Sequence, residues 1–187
     1  AYVCLAAGLR PEGPLGESLA LGLVTDTGGF LHGSTTAAVF RLAALLSDSG
    51  CDIHKLREKL DNNWSPARMA LWVRLMQRVE ISCDGRAALA LARLEDLRQC
   101  GALKEDLEGL VEQFRRLRGV EASGILREDA PGVYKLSLRS TGTTDVRSVA
   151  VQFGGGGHRN AAGGTLRMEG EEAFDAVRTA LCRMLRG

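Results

Sequence analysis

The chain has 187 residues, 45% hydrophobic and 25% charged, enough for one sizeable core or two small ones in a soluble globular protein. Its 24 basic and 23 acidic residues nearly cancel, which excludes a polycation's blanket affinity for nucleic acid and makes any anion site local. No apolar run reaches the roughly 20 residues of a membrane span and no charged-then-apolar leader opens the chain, so the expectation is a cytoplasmic protein without a membrane partner.

The opening "AYVCLAAGLRPEG" reads as the end of a helix without an initiator methionine, the mark of a fragment or a processed product. "PLGESLALGLVTDTGGF" has helical spacing and breaks at Thr25-Asp26-Thr27-Gly28-Gly29. Ser34 is the expected N-cap of a helix through "TTAAVFRLAALLSDS", closed by Gly50. Asp52 caps "IHKLREKL", and Ser65 with Pro66 starts "SPARMALWVRLMQRV", a helix long enough to connect two domains. The period then changes. "VEISCDGRAALALA" reads as two strands around Asp84-Gly85, and "KEDLEGLVEQFRRLR" as one amphipathic helix. "GVEASGILRED" and "GVYKLSLRS" flank Ala130-Pro131-Gly132 as a second hairpin. "DVRSVAVQF" is a short helix capped by Asp145, "GGTLRM" a strand and "GEEAFDAVRTALCRMLR" a closing helix. These elements predict α/β overall: a helical segment over 1–62, a connector helix over 63–79, and an α+β domain with a mixed central sheet flanked by helices over 80–187. Cys4, Cys51, Cys83, Cys100 and Cys182 are odd in number and show no C-x-x-C pair, so they read as buried thiols.

The stretch "QFGGGGHRNAAGG", residues 152–164, carries the main chemical signal. A linker would mix glycine with polar residues, whereas this run sits between a helix and a strand of one domain. Gly154, Gly155, Gly156 and Gly157 either turn several N–H groups toward one anion or form a tight turn needed for packing. His158 at the exit can donate a hydrogen bond or a proton to a held anion. No G-K-[S/T] follows, which excludes a P-loop. "YKLSLRS" delivers Arg139 and Ser140, a guanidinium and a hydroxyl suited to phosphate oxygens, shortly before the glycines. Asp26, between threonines and glycines, reads either as a turn residue or as a ligand for Mg²⁺ or Mn²⁺. His54 lies on a charged helix, His32 in a loop without an identified partner, and Trp64 and Trp72 in an apolar stripe that reads as packing.

"LRSTGTTDVRSVAVQFGGGGHRNAAGG" resembles the signature of the DHH-associated substrate-binding domain, and "LALGLVTDTGGF" resembles the last metal-binding motif of the DHH phosphoesterase domain that precedes it. The pairing is most similar to the NrnA-type oligoribonucleases and 3',5'-bisphosphate nucleotide phosphatases related to RecJ. The resemblance covers nearly the whole chain and implies a two-domain hydrolase with divalent metal, two Mn²⁺, in its first domain. It matches Asp26 to a metal ligand, Arg139 and Ser140 to a phosphate grip, and Gly154 to His158 to a loop closing on the substrate, with His158 near the chemistry. The implied partners are short RNA, a nucleoside bisphosphate or a linear dinucleotide, and a homodimer is allowed.

The chain has no Asp-His-His triplet, because His32, His54 and His158 are its only histidines and none adjoins another. The expectation is therefore the C-terminal remnant of a catalytic domain, a connector and a whole substrate-binding domain, inactive alone. The alternatives are a self-sufficient nucleotide or RNA-end binding module and a tRNA-binding domain like that of alanyl-tRNA synthetases. The Asp26 motif and the lack of a long coiled coil argue against the last.

Overall fold

The computed structural model describes residues 2–31 and 33–187 and divides into two compact units, Ala1–Trp64 and Ser65–Gly187. The first unit is helical: α1 (Tyr2–Ala6), α2 (Gly13–Asp26), α3 (Ala37–Asp48) and α4 (Ile53–Asp61). Buried Ala20, Leu46 and Cys51 form its small core, with Leu19, Leu23 and Leu42 against them. Asp52 caps α4 as expected, accepting from the Lys55 N–H at 2.8 Å. The start of α3 differs from expectation. Thr36 is its N-cap, accepting from Val39 N–H, while the Ser34 hydroxyl donates to the Asp26 carbonyl. Two more residues of chain are thus drawn into the turn after α2.

In the second unit Ser65 caps α5 (Pro66–Met76) as the sequence indicates. This helix is no free-standing connector. Leu71, Trp72 and Leu75 are buried in the unit's own core, and the Trp72 indole donates to the Asp106 carbonyl at 2.7 Å. The six strands found among the described residues are β1 (Glu80–Ser82), β2 (Ala87–Ala92), β3 (Ala122–Ala130), β4 (Val133–Ser140), β5 (Gly156–His158) and β6 (Ala161–Arg167). They form one sheet in the order β1-β2-β3-β4-β6-β5. Only β2 and β3 pair in parallel; the other neighbours are antiparallel, so the sheet is mixed. The β2–β3 crossover carries α6 (Leu94–Cys100), a 3-10 turn (Lys104–Leu107) and α7 (Leu110–Phe114), and α8 (Arg147–Gln152) and α9 (Gly170–Arg186) complete the unit.

Period-two alternation assigns the sheet two faces. Leu89, Leu126, Tyr134, Leu136, Leu138, Ala162 and Leu166 point to one face and pack on α8 and α9. Ala88, Ala90, Ala92 and Ile125 point to the other and pack on α5, α6 and the crossover. Three expectations change here. The helix α6 was not anticipated, its seven residues being too few to display a period. The expected helix over 104–118 breaks at Gly109, which has φ +86°. Cys83 and Cys182 are not thiols but a disulfide joining the β1–β2 turn to α9, and of the free cysteines only Cys51 is buried.

Candidate functional site

The helices on the second face cover β2 and β3 and reach the near side of β4 through α7, so the outer part of β4 with β6 and β5 stays open. Three cross-strand rows can be read there from the register. Arg139, Ala161 and His158 form one; Ser137, Gly163 and Gly156 the next; Lys135 and Thr165 the third. Small residues make the floor and long basic ones the border. A 470 Å³ concavity runs over this floor, lined by Lys135, Ser137, Arg139, Gly156, Ala161 and Gly163 among others. At a strand spacing of ~4.8 Å, His158 stands roughly 10 Å from Arg139 across β6.

Arg139 is partly engaged by its own chain. Its Nε donates to Glu112 Oε1 at 2.8 Å and its Nη1 to the Leu138 carbonyl at 3.0 Å. The second carboxylate oxygen of Glu112 is buried without a hydrogen-bond partner. A half-exposed guanidinium held along one edge keeps its remaining N–H groups for an incoming anion.

Ser140 does not join Arg139. Adjacent strand residues face opposite sides, so Ser140 is buried on the other face. Its hydroxyl donates to the Thr144 carbonyl at 2.7 Å and accepts from the Asn160 amide at 2.9 Å. Asn160 also donates to the Gly142 and Thr144 carbonyls, so the pair fastens the 141–146 loop to the β5–β6 turn. Asp145 is not the expected N-cap: Val146 holds that position, and Asp145, one residue earlier, accepts from Arg147 N–H at 3.0 Å.

The glycine run divides in function. Gly154 has φ +70° and ends α8; its N–H donates to the Val151 carbonyl and that of Gly155 to Ala150. Those two donors are not turned toward an anion, which corrects the expectation of one nest across all four glycines. Gly155 and Gly157 are required by close packing, since a Cβ would lie 2.1 Å from the Gly163 oxygen at Gly155 and 2.6 Å from the Ala161 oxygen at Gly157. Gly156 is different. A Cβ there would meet nothing within 4 Å, and its φ lies outside the left-handed region.

In the first unit Asp26 is exposed at the end of α2. Thr27, buried beside it, donates to the Leu23 carbonyl and accepts from Phe30 N–H, and Gly28, Gly29 and Phe30 all have positive φ. The turn is thus well defined. Among the described residues no group of three His, Cys, Asp or Glu is placed to hold a metal ion. His32 lies outside the described residues, and His54 is exposed on α4. The described donor set amounts to one carboxylate and does not fit a two-metal centre. Trp72 is core, as expected, and Trp64 is 43% exposed.

Sequence reasoning missed Lys135, Arg127 and Glu112. Lys135 and Arg139 stand at i and i+4 of one strand, so alternation alone puts them on one face. Glu112 left no such signal, because only the fold of the crossover brings it to Arg139.

Residues 89–187 match the DHHA1 domain model. Over 161 residues, 86% of this chain and 48% of the relative, the sequence is 34% identical to the bifunctional oligoribonuclease and PAP phosphatase NrnA of Thermus thermophilus. It is 29% identical over 143 residues, 76% of this chain and 45% of the relative, to a probable protein of the same name from Streptococcus mutans. An exopolyphosphatase-related protein from Bacteroides fragilis has a crystal structure that superposes with a TM-score of 0.86 at 31% identity, over 92% of this chain and 52% of that one. The chain therefore spans about half the length of these relatives. With strands β3 to β6, the closing helix and the whole glycine run inside the matched segment, the chain belongs to the DHHA1 domain family.

Proposed function

We propose that this chain is the C-terminal, substrate-binding part of a metal-dependent phosphoesterase acting on short oligoribonucleotides, nucleoside 3',5'-bisphosphates or both. One observation carries the reading: part of a sheet face is left open, floored by Gly156, Ala161 and Gly163 and bordered by Arg139, Lys135 and His158. A base or ribose lies flat on such a floor, while the Arg139 guanidinium at its edge takes phosphate oxygens. The relatives named as oligoribonucleases and PAP phosphatases favour the same ligand class.

In this reading Arg139 binds and orients a phosphate, with Glu112 fixing the guanidinium. His158, exposed on the edge strand, donates a hydrogen bond or a proton to an oxygen of the phosphate being cut. Ser140 and Asn160 act at one remove by holding the loops around the floor. Asp26 would supply one ligand to a divalent cation such as Mn²⁺ in a longer enzyme, where the metal would activate water and stabilise charge on phosphorus.

Calorimetric titration of adenosine 3',5'-bisphosphate into this chain without metal tests the reading. Weak, salt-dependent binding that Arg139→Ala diminishes is expected, and unchanged affinity in that variant would end it. In a longer enzyme containing this sequence, Asp26→Ala is expected to abolish Mn²⁺-dependent turnover with the fold intact; normal kcat would reject the metal role.

A further inference from the structure

Lys135 and Arg127 are direct cross-strand partners on β4 and β3, on the face that carries Arg139. Like charges placed directly opposite in a sheet repel and are destabilising. Asp129 relieves only part of this. It receives Arg127 Nε at 2.8 Å and Lys104 Nζ at 2.9 Å, so one carboxylate serves two cations. The Arg127 hydrogen bond outweighs burial and, with Lys104 adding to it, holds Asp129 below the usual carboxylate range. Lys135 has no ion pair at all among the described residues.

These cations, with Arg139 and the carboxylates of Glu108 and Glu112, line a second concavity of 380 Å³ on the crossover side of β4, where Glu112 is already taken up by Arg139. Lys135, Ser137 and Arg139 line both it and the concavity over the glycine floor. The two are therefore neighbours across one strand. The path from β5 over β6 and β4 to β3 crosses three strand spacings, roughly 14 Å, too long for one nucleotide's phosphates and suited to a short single strand.

Resting on the reading of the open face given above, we propose that Lys135 with Arg127 and Lys104 is a second backbone-phosphate subsite. It extends the glycine floor so that this protein takes oligonucleotides of several residues in preference to a single nucleoside bisphosphate. The unbalanced positive charge is what the phosphate neutralises, and Arg139 is the step between the two concavities. Binding along such a path is electrostatic and indifferent to base sequence.

The test compares a 5'-phosphorylated tetra-adenylate RNA with adenosine 3',5'-bisphosphate, titrated into the wild-type chain, Lys135→Gln and Arg139→Ala across a salt series. Arg186→Gln, on the helix packed against the opposite face, controls for loss of a charge as such. Lys135→Gln is expected to weaken the tetranucleotide about fivefold and to flatten its log–log salt slope by about 0.7, the value for one phosphate contact on a single strand. The bisphosphate should bind Lys135→Gln like wild type. Equal weakening of both ligands, an unaltered tetranucleotide affinity, or the same effect from Arg186→Gln would overturn the subsite. If Arg139→Ala weakens the bisphosphate while Lys135→Gln leaves the tetranucleotide untouched, the subsite falls and the open-face reading stands. If Arg139→Ala changes neither ligand, both fall.

Discussion

Arg139 meets two acceptors of its own chain before any ligand arrives, so its contribution to binding is a difference between partners. Removing the guanidinium in Arg139→Ala should cost about 1.5 kcal/mol of affinity for a terminal phosphate, the low end for a charged hydrogen bond, because Glu112 competes for it. His158 should behave otherwise. In a longer, active enzyme His158→Ala is expected to lower turnover more than binding, as a group meeting the scissile phosphate acts mainly on the transition state. Equal losses in kcat/KM and affinity would reject that role. Asp96 shows the structural use of charge in the same unit. It is 2% exposed; burial pushes its carboxyl up, but the Arg93 N–H and the Arg78 and Arg74 guanidiniums together outweigh this and hold it below the usual range. With the folded value below an unfolded one near ~4, its stabilisation is complete above about pH 4 and is lost as the pH falls through the folded value. Urea midpoints at neutral and strongly acid pH should therefore differ more in wild type than in Asp96→Asn, and an unchanged difference would remove Asp96 from the acid response.

At the scale of elements, β5 is three residues long and exists because glycines let it approach β6. Its substitutions should separate packing from access. Gly157→Val forces a β-branched side chain to φ +136° against the β6 backbone, and Gly155→Val drives its Cβ into the Gly163 carbonyl. Both should lower the melting temperature and loosen the edge strand. Gly156→Val meets open space, so it should leave melting within a degree or two while its methyls stand on the floor and block the nucleotide. Melting curves beside calorimetric titrations separate the two classes; a Gly156→Val chain that binds normally would show that the floor is not the site. The broken crossover has a similar tertiary cause. Arg68 donates to the Glu108 carbonyl and Trp72 to that of Asp106, so α5 takes up the carbonyls that a continuous helix would have used.

Two features belong to the whole molecule. The Cys83–Cys182 bond closes a loop with a sequence separation of 99 and ties the first hairpin to the last helix. On the chain-entropy model such a loop is worth about 4.7 kcal/mol, so reduction, or Cys182→Ser, should lower the unfolding temperature by roughly ten degrees or more. Equal melting with and without reductant would remove the bond from the stability of the fold. The second feature is activity. The described residues supply no group of three metal-binding side chains, so with Mn²⁺ this chain should bind a 5'-phosphorylated dinucleotide without hydrolysing it above a metal-free control. Clear turnover by the purified chain would show that its own residues complete a centre.

Local chemistry made much of the fold legible. Ser65-Pro66 and Asp52 start helices wherever they occur in such a pattern, Asp84-Gly85 and Ala130-Pro131-Gly132 turn hairpins, and the alternation in "YKLSLRS" makes a strand with one apolar face. These signals act over a few residues, so sequence alone determines them, and the glycine signature with its neighbouring arginine was specific enough to indicate the family. What the tertiary structure decided depends on residues far apart in the chain. Glu112 reaches Arg139 from the crossover, Cys83 reaches Cys182 from the opposite end of the unit, and Asn160 reaches the Ser140 hydroxyl from the β5–β6 turn. The open part of the sheet follows from the reach of the short crossover helices, which stop at β4 and leave β6 and β5 uncovered on that face. No local pattern encodes that, because it is a property of which layer runs out first.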